Sequence, residues 1–180
     1  DLTKRVEEVV RRSRERLERS TRDIKRKAEE VKERLKKSSK EVEKVIREVE
    51  TELERLRREG KVDEDTVREV LERIRRLLEE VKEHSKRVLD DIERLLRDLE
   101  EHSKEVVRRN ERLLREIKDG DEKKVEEVLR RSEKSVRDNK KRVEEVAETL
   151  KKILTDNRRL VKRVKEELDK LIRDVEERAR

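Results

Sequence analysis

No cysteine, proline, methionine, glutamine or aromatic residue occurs in this 180-residue sequence, and glycine occurs only twice. Without cysteine there is no disulfide framework, no thiol nucleophile and no cysteine-based zinc site, and the redox compartment is left open. No apolar run approaches the roughly 20 residues that a membrane span needs, and no signal-peptide pattern opens the chain. Hydrophobic residues make up 29% of the sequence, against roughly 45–50% apolar usage in an ordinary globular protein. Low hydrophobicity with high charge is often a mark of disorder. Here the apolar residues are regularly placed, which favours order.

What is present is mostly Glu, Lys, Arg, Leu, Val and Ile, a set dominated by strong helix formers. Charged residues account for 59% of the chain, with 57 basic and 50 acidic residues and a net charge of +7. That excess raises the question of a nucleic-acid partner. Such a binder concentrates positive charge on one face and adds stacking aromatics or glycine loops. Here the signs alternate closely along every segment, as in "RREGKVDEDTVREV". A solvated, salt-bridged surface is expected, with no nucleic-acid and no membrane partner.

The two glycines, Gly60 and Gly120, divide the chain into thirds. Glycine just past a helix end is the usual left-handed cap. Each is followed by a start signal: Asp63 is an N-cap candidate, with Val62 and Val67 spaced for a hydrophobic staple, and Asp121 is the next. Asp1 serves the first helix. Helices are therefore expected over about 2–58, 64–118 and 122–178. Each is roughly 80 Å long at 1.5 Å per residue. Loops this short force neighbours to run antiparallel. The expected fold class is all-α: one domain over 1–180, a single-chain up-down-up three-helix bundle with a rod shape.

The period of the apolar residues sharpens this expectation. In the first helix the inward candidates are Leu2, Val6, Val10, Ser13, Leu17, Ser20, Ile24, Ala28, Val31, Leu35, Ser38, Val42, Ile46, Val49, Leu53 and Leu56. Their mean spacing is about 3.6 residues, so the repeat unit is eighteen residues in five turns. The second helix keeps the unit through Val70, Val88 and Val106, through Ile74, Ile92 and Asn110, through Leu77, Leu95 and Leu113, and through Leu78, Leu96 and Leu114. The third keeps it through Val125, Val143 and Val161, and through Val128, Val146 and Val164. A 3.5-residue period winds helices left-handed and a 3.67-residue period right-handed, so 3.6 predicts nearly untwisted helices. The apolar arcs span about 100°, 140° and 120° on the three helices in chain order. Those widths suit contact with two neighbours each, so a monomer is favoured over a homo-oligomer.

Polar residues interrupt these stripes at matched heights. Folding at the glycines sets a first-helix residue level with a second-helix residue when their numbers total about 121, and with a third-helix residue about 120 further on. Three layers result. Ser20 and Thr21 fall near His102, Ser103 and Asn139. Ser38 and Ser39 fall near His84, Ser85 and Asn157. Ser13 falls near Asn110 and Ser132, with Ser135 at the margin. Asn and neutral His both donate and accept, and serine hydroxyls rotate to suit. A core polar group without a partner costs roughly 1–3 kcal/mol, so matched layers penalise every other register. His84 and His102, each within the tetrapeptide EHSK, lie at the edge of the apolar arc. They either reach inward to the networks or stay partly solvated at the boundary.

Eighteen-residue repeats, matched polar layers and glycine-centred loops resemble the parametrically generated, straight three-helix bundles of de novo protein design, combined with designed buried hydrogen-bond networks. The resemblance covers the whole chain. It implies no natural substrate, cofactor, partner or compartment: a soluble recombinant protein, cytoplasmic where expressed. Natural long-helix families fit less well, because spectrin-like repeats follow heptads with a core tryptophan and apolipoprotein-like chains follow proline-punctuated eleven-residue units.

Four functions are weighed. The first is a structural scaffold whose Ser, Thr, His and Asn layers specify register and fold. The second is a pH-responsive bundle weakened by protonation of His84 and His102. Some designs of the resembled kind are pH switches with several histidines per layer in symmetric oligomers, whereas this chain has one per layer. The third is a binding module taking a partner helix or a small molecule at a cavity beside a polar layer. The fourth, an enzyme, is not expected. The sequence has no glycine-rich phosphate loop and no HExxH, and the core stripe offers no acid to orient a Ser–His pair. No metal or cofactor is expected, since the two histidines lie roughly 27 Å apart along one helix and cannot share an ion.

Overall fold

The computed structural model describes residues 2–117 and 122–179. The expectations resting on Asp1, Gly120 and Asp121, and on residue 118 as the end of the second helix, lie outside these residues. Three long helices pack against each other: α1 (Leu2–Arg58), α2 (Glu64–Glu116) and α3 (Glu122–Arg178). No strand occurs among the described residues. Directions follow from the cross-contacts. Arg14 meets Glu111 and Lys25 meets Glu100, so α1 and α2 are antiparallel. Ser38 meets Asn157 and Glu41 meets Lys165, so α3 runs parallel to α1.

The loop between α1 and α2 is built as its residues require. Gly60 has φ 67°, a region that costs any residue with a Cβ. From there the Lys61 N–H reaches the Leu56 carbonyl and the Gly60 N–H reaches that of Arg57, both at 3.0 Å. This pair of bonds is the Schellman closure, and it satisfies carbonyls that the helix end would otherwise leave open. Arg55, Arg57 and Arg58 in the last turn complement the negative end of the helix. Asp63 then caps α2: its Oδ1 accepts the Thr66 N–H at 2.7 Å, while its carbonyl accepts the Val67 N–H at 3.1 Å. The Thr66 hydroxyl and N–H together hold the Asp63 carboxyl below its ordinary pKa. Val62 and Val67 both pack into the neighbouring core, as a staple would place them.

Two compact units are distinguished, each taking a stretch of every helix. The first comprises Asp1–Glu30 and Asp91–Lys151, the second Val31–Asp90 and Lys152–Arg180. In the first unit, Val6, Val10, Leu113, Ile117, Val125 and Val128 form one buried cluster. In the second, the core runs from Val42 through Leu56 on α1, from Val67 through Val81 on α2, and from Val161 through Val175 on α3.

Burial keeps the period of the sequence. Val6, Ile24 and Val42, and likewise Leu17, Leu35 and Leu53, lie eighteen residues apart, and none exceeds 2% exposure. The buried face of α1 therefore does not rotate around the helix. All of the expected inward residues of α1 are buried except Leu2, Ser20 and Ser38, which are partly so. On α2 the outcome is less complete. Leu78, Leu96 and Leu114 are only part-buried, and Leu71 is 39% exposed. The broad apolar arc of this helix is wider than two neighbours cover, so its edge stays wet.

Candidate functional site: the buried polar layers

The first layer joins all three helices within the first unit. Asn139, 1% exposed, sends its side-chain N–H groups to His102 Nδ1 and to Ser103 Oγ, both at 3.0 Å. Ser103 Oγ lies 3.2 Å from Thr21 Oγ1, and Thr21 Oγ1 lies 2.9 Å from the Leu17 carbonyl. Counting protons fixes the direction of each bond. The carbonyl of Leu17 can only accept, so the single Thr21 proton goes there. Ser103 then donates to Thr21 and accepts from Asn139. His102 Nδ1 accepts from Asn139, so its ring proton sits on Nε2. The chain runs from α3 through α2 to the backbone of α1 with no proton used twice. Ser20 is partly buried and takes no part in it.

The second layer, in the second unit, is split into two pairs. Ser39 and Ser85 share a bond of 3.1 Å between α1 and α2. Asn157 Nδ2 donates to Ser38 Oγ at 3.1 Å, and Ser38 donates to the Arg34 carbonyl at 2.9 Å. In this layer the adjacent serines of α1 reach both other helices; in the first layer that role falls to His102 and Ser103 of α2. Asn157 is the eighteen-residue equivalent of Asn139, yet its amide reaches α1 instead of the histidine. His84 Nε2 is buried with no hydrogen-bond partner.

The third set does not join. Ser13, Asn110, Ser132 and Ser135 are all buried in the first unit, Asn110 to 1% and Ser132 to 0% exposure. Asn110 Oδ1 and Ser132 Oγ nevertheless have no partner. Shared height is thus insufficient: the short hydroxyls must also point across the same gap. The level rule itself needs adjustment between α1 and α2. Thr21–Ser103 and Ser39–Ser85 both pair at a total of 124 rather than about 121. The non-helical residues between Arg58 and Glu64 displace α2 by about one turn of pairing. Between α1 and α3 the rule holds, with Asn157 119 residues beyond Ser38.

Both histidines are partly buried, and both have their pKa lowered from 6.5. Loss of hydration is the main cause in each. For His84, Arg87 adds to it while Asp156 and Glu80 oppose it. For His102, Arg142 and Arg109 add to it while Glu105 and Asp138 oppose it. No cluster of three or more His, Cys, Asp or Glu able to hold a metal occurs among the described residues. Among those residues no helix is long and apolar enough to cross a membrane.

Ion pairs dress the surface around the layers. Most are i,i+3 or i,i+4 pairs at exposed positions, such as Arg12–Glu8 at 2.7 Å, and each is worth little. A few tie helices together: Arg14–Glu111 at 3.1 Å, Lys25–Glu100 at 2.7 Å, Lys165–Glu41 at 3.2 Å, and Arg163 with Glu80. Compared with protein-family models, with curated proteins and with solved structures, the chain matches none.

Proposed function

We propose that this chain is a designed structural scaffold whose buried polar layers select one register of three helices. The observation that carries the reading is the Asn139 network. An asparagine at 1% exposure is costly in a core unless both its amide protons are used, and here both are. Sliding α3 by one turn against α2 would strand Asn139 among aliphatic side chains. A core of Val, Leu and Ile alone would tolerate such a slide far better. The resemblance to parametrically designed bundles supports the same reading, since it accounts for the eighteen-residue unit and the repeated EHSK together.

The test is to replace the layer with apolar residues of similar size, as Thr21→Val, His102→Leu, Ser103→Val and Asn139→Leu combined. The expected variant unfolds at higher denaturant, because a dry layer is more stable than a polar one. It is also expected to show more than one set of backbone amide NMR peaks, because register is no longer pinned. A single sharp set of peaks in the parent register would remove the specifying role from the network.

A second reading is favoured by one observation, the unpartnered His84 Nε2. Protonating His84 places a charge in a part-buried site that offers no acceptor, and protonating His102 breaks its bond from Asn139. The bundle is then one that weakens in acid. Asp156 and Glu80 around His84, and Asp138 and Glu105 around His102, temper the effect without reversing it. His→Asn substitution at both sites is expected to flatten stability between pH 7.5 and pH 5. A pH dependence unchanged by that substitution would end this reading.

A further inference from the structure

Within the first unit an open cavity of about 650 Å³ lies between α1 and α2, directly above the bond between Thr21 and Ser103. Its apolar floor is made by Leu17 and Val107. The charges around it are unevenly matched. Every carboxylate in the lining already holds a cation: Glu18 and Glu111 share Arg14, at 3.2 and 3.1 Å, and Glu100 holds Lys25 at 2.7 Å. Of the other lining cations, Lys104 helps hold the Glu100 carboxyl below its ordinary pKa from one turn along α2, and Arg22 and Arg108 form no ion pair among the described residues. Arg22 follows Thr21 and Lys104 follows Ser103, so these two stand within roughly 3 Å of the same height on opposite walls. An anion entering the groove between them is attracted to both.

Two further features define the occupant. The hydroxyl protons at the floor are already committed, Thr21 to the Leu17 carbonyl and Ser103 to Thr21, so the floor has no donor left for an anion. A charged group must therefore stay at the rim while an apolar portion lies on Leu17 and Val107. The ion pairs Arg14–Glu111 and Lys25–Glu100 cross the groove near its two ends. Their α1 members are roughly 16 Å apart along the helix, and a continuous partner helix would have to break both. We infer that the groove is a binding site for a small amphiphilic monoanion, an alkyl carboxylate, with its head group between Arg22 and Lys104 and its chain along Leu17 and Val107. The site is independent of whether the polar layers specify register.

The test is an NMR titration of the full chain with decanoate below its micelle concentration, with acetate as the headgroup-only probe. Saturable shifts from one equivalent of decanoate are expected at Leu17, Thr21, Ser103 and Val107, with none from acetate at the same concentration. The double substitution Arg22→Gln and Lys104→Gln is expected to weaken binding roughly tenfold or more, as loss of charge-assisted contacts does. The matched control, Lys40→Gln and Lys86→Gln, removes the same charge beside Ser39 and Ser85 in the second unit and should leave affinity unchanged. All four positions are exposed, so both variants keep the fold. Absence of saturable shifts, equal shifts with acetate, or equal weakening in the two double variants would each overturn the site.

Discussion

His84 and His102 hold equivalent places eighteen residues apart, yet one is bonded and the other is not. The difference sets opposite signs for the same substitution. His84→Leu removes a buried nitrogen that has no partner, and is expected to raise stability by about 1 kcal/mol. His102→Leu leaves an Asn139 N–H unpaired, and is expected to lower stability by about the same amount. Guanidinium unfolding of the two variants beside the parent reads both signs. Equal shifts in one direction would mean that the two layers do not differ as described. Asn110→Ile belongs with His84→Leu. It replaces an unsatisfied group with the residue that the repeat carries at Ile74 and Ile92, and a gain of roughly 1–2 kcal/mol is expected from the same unfolding curves. These contrasts were not legible in the sequence. It placed Ser13, Asn110, Ser132 and Ser135 at one height, but hydrogen bonding also needs side-chain direction, which spacing does not carry. Nor did it single out Arg22, Lys104 and Val107, whose shared groove emerges only from the true pairing of α1 with α2.

For the helices as elements, local chemistry was enough. Gly60 had to be glycine because its φ is 67°, and Asp63 had to accept an N–H because the first turn of α2 leaves its donors free. Gly60→Ala meets no neighbouring atom, so its whole cost is backbone strain, about 1 kcal/mol. Asp63→Ala is expected to destabilise through loss of the cap, and Asp63→Asn to restore most of it, since the amide oxygen still accepts the Thr66 N–H. Thermal melts of the two Asp63 variants beside the parent check the order: parent, then Asp63→Asn, then Asp63→Ala. The eighteen-residue period was equally readable, because α1 buries the same wheel positions that the sequence makes apolar. What the period could not give was how far α2 is covered. Its Leu78, Leu96 and Leu114 look like core in sequence, but two neighbours cannot cover all of the arc.

For the molecule as a whole, the pH dependence of stability divides into two windows. Both histidines have folded pKa values below 6.5. The unfolded chain therefore binds protons first, and stability falls as pH drops from about 6.5 through the folded values. Glu52, Glu59, Glu100 and Asp63 are held below their ordinary values chiefly by hydrogen bonds to Arg55, Lys61, Lys25 and Thr66 respectively. What they contribute is present above about pH 4.5 and is lost as pH falls below it. A denaturation series from pH 8 to pH 3 should show the histidine loss first and the carboxylate loss second. The first step should vanish when both histidines are Asn. Because α2 leaves an apolar edge partly wet, solution mass belongs in the same series, and a single-chain mass at every pH down to 5 is expected.

On the proposed reading the Asn139 network makes the register unique, and the tautomer of His102 reports on that network most directly. A proton–nitrogen NMR spectrum of the two imidazole rings at pH 7.5 would assign it. With the network formed, His102 carries its proton on Nε2, its Nδ1 shows the shift of a hydrogen-bonded acceptor, and it titrates below 6.5. A His102 that is averaged between tautomers and titrates at its ordinary value would mean that Asn139 does not hold it, and the register would have to be set by aliphatic packing alone.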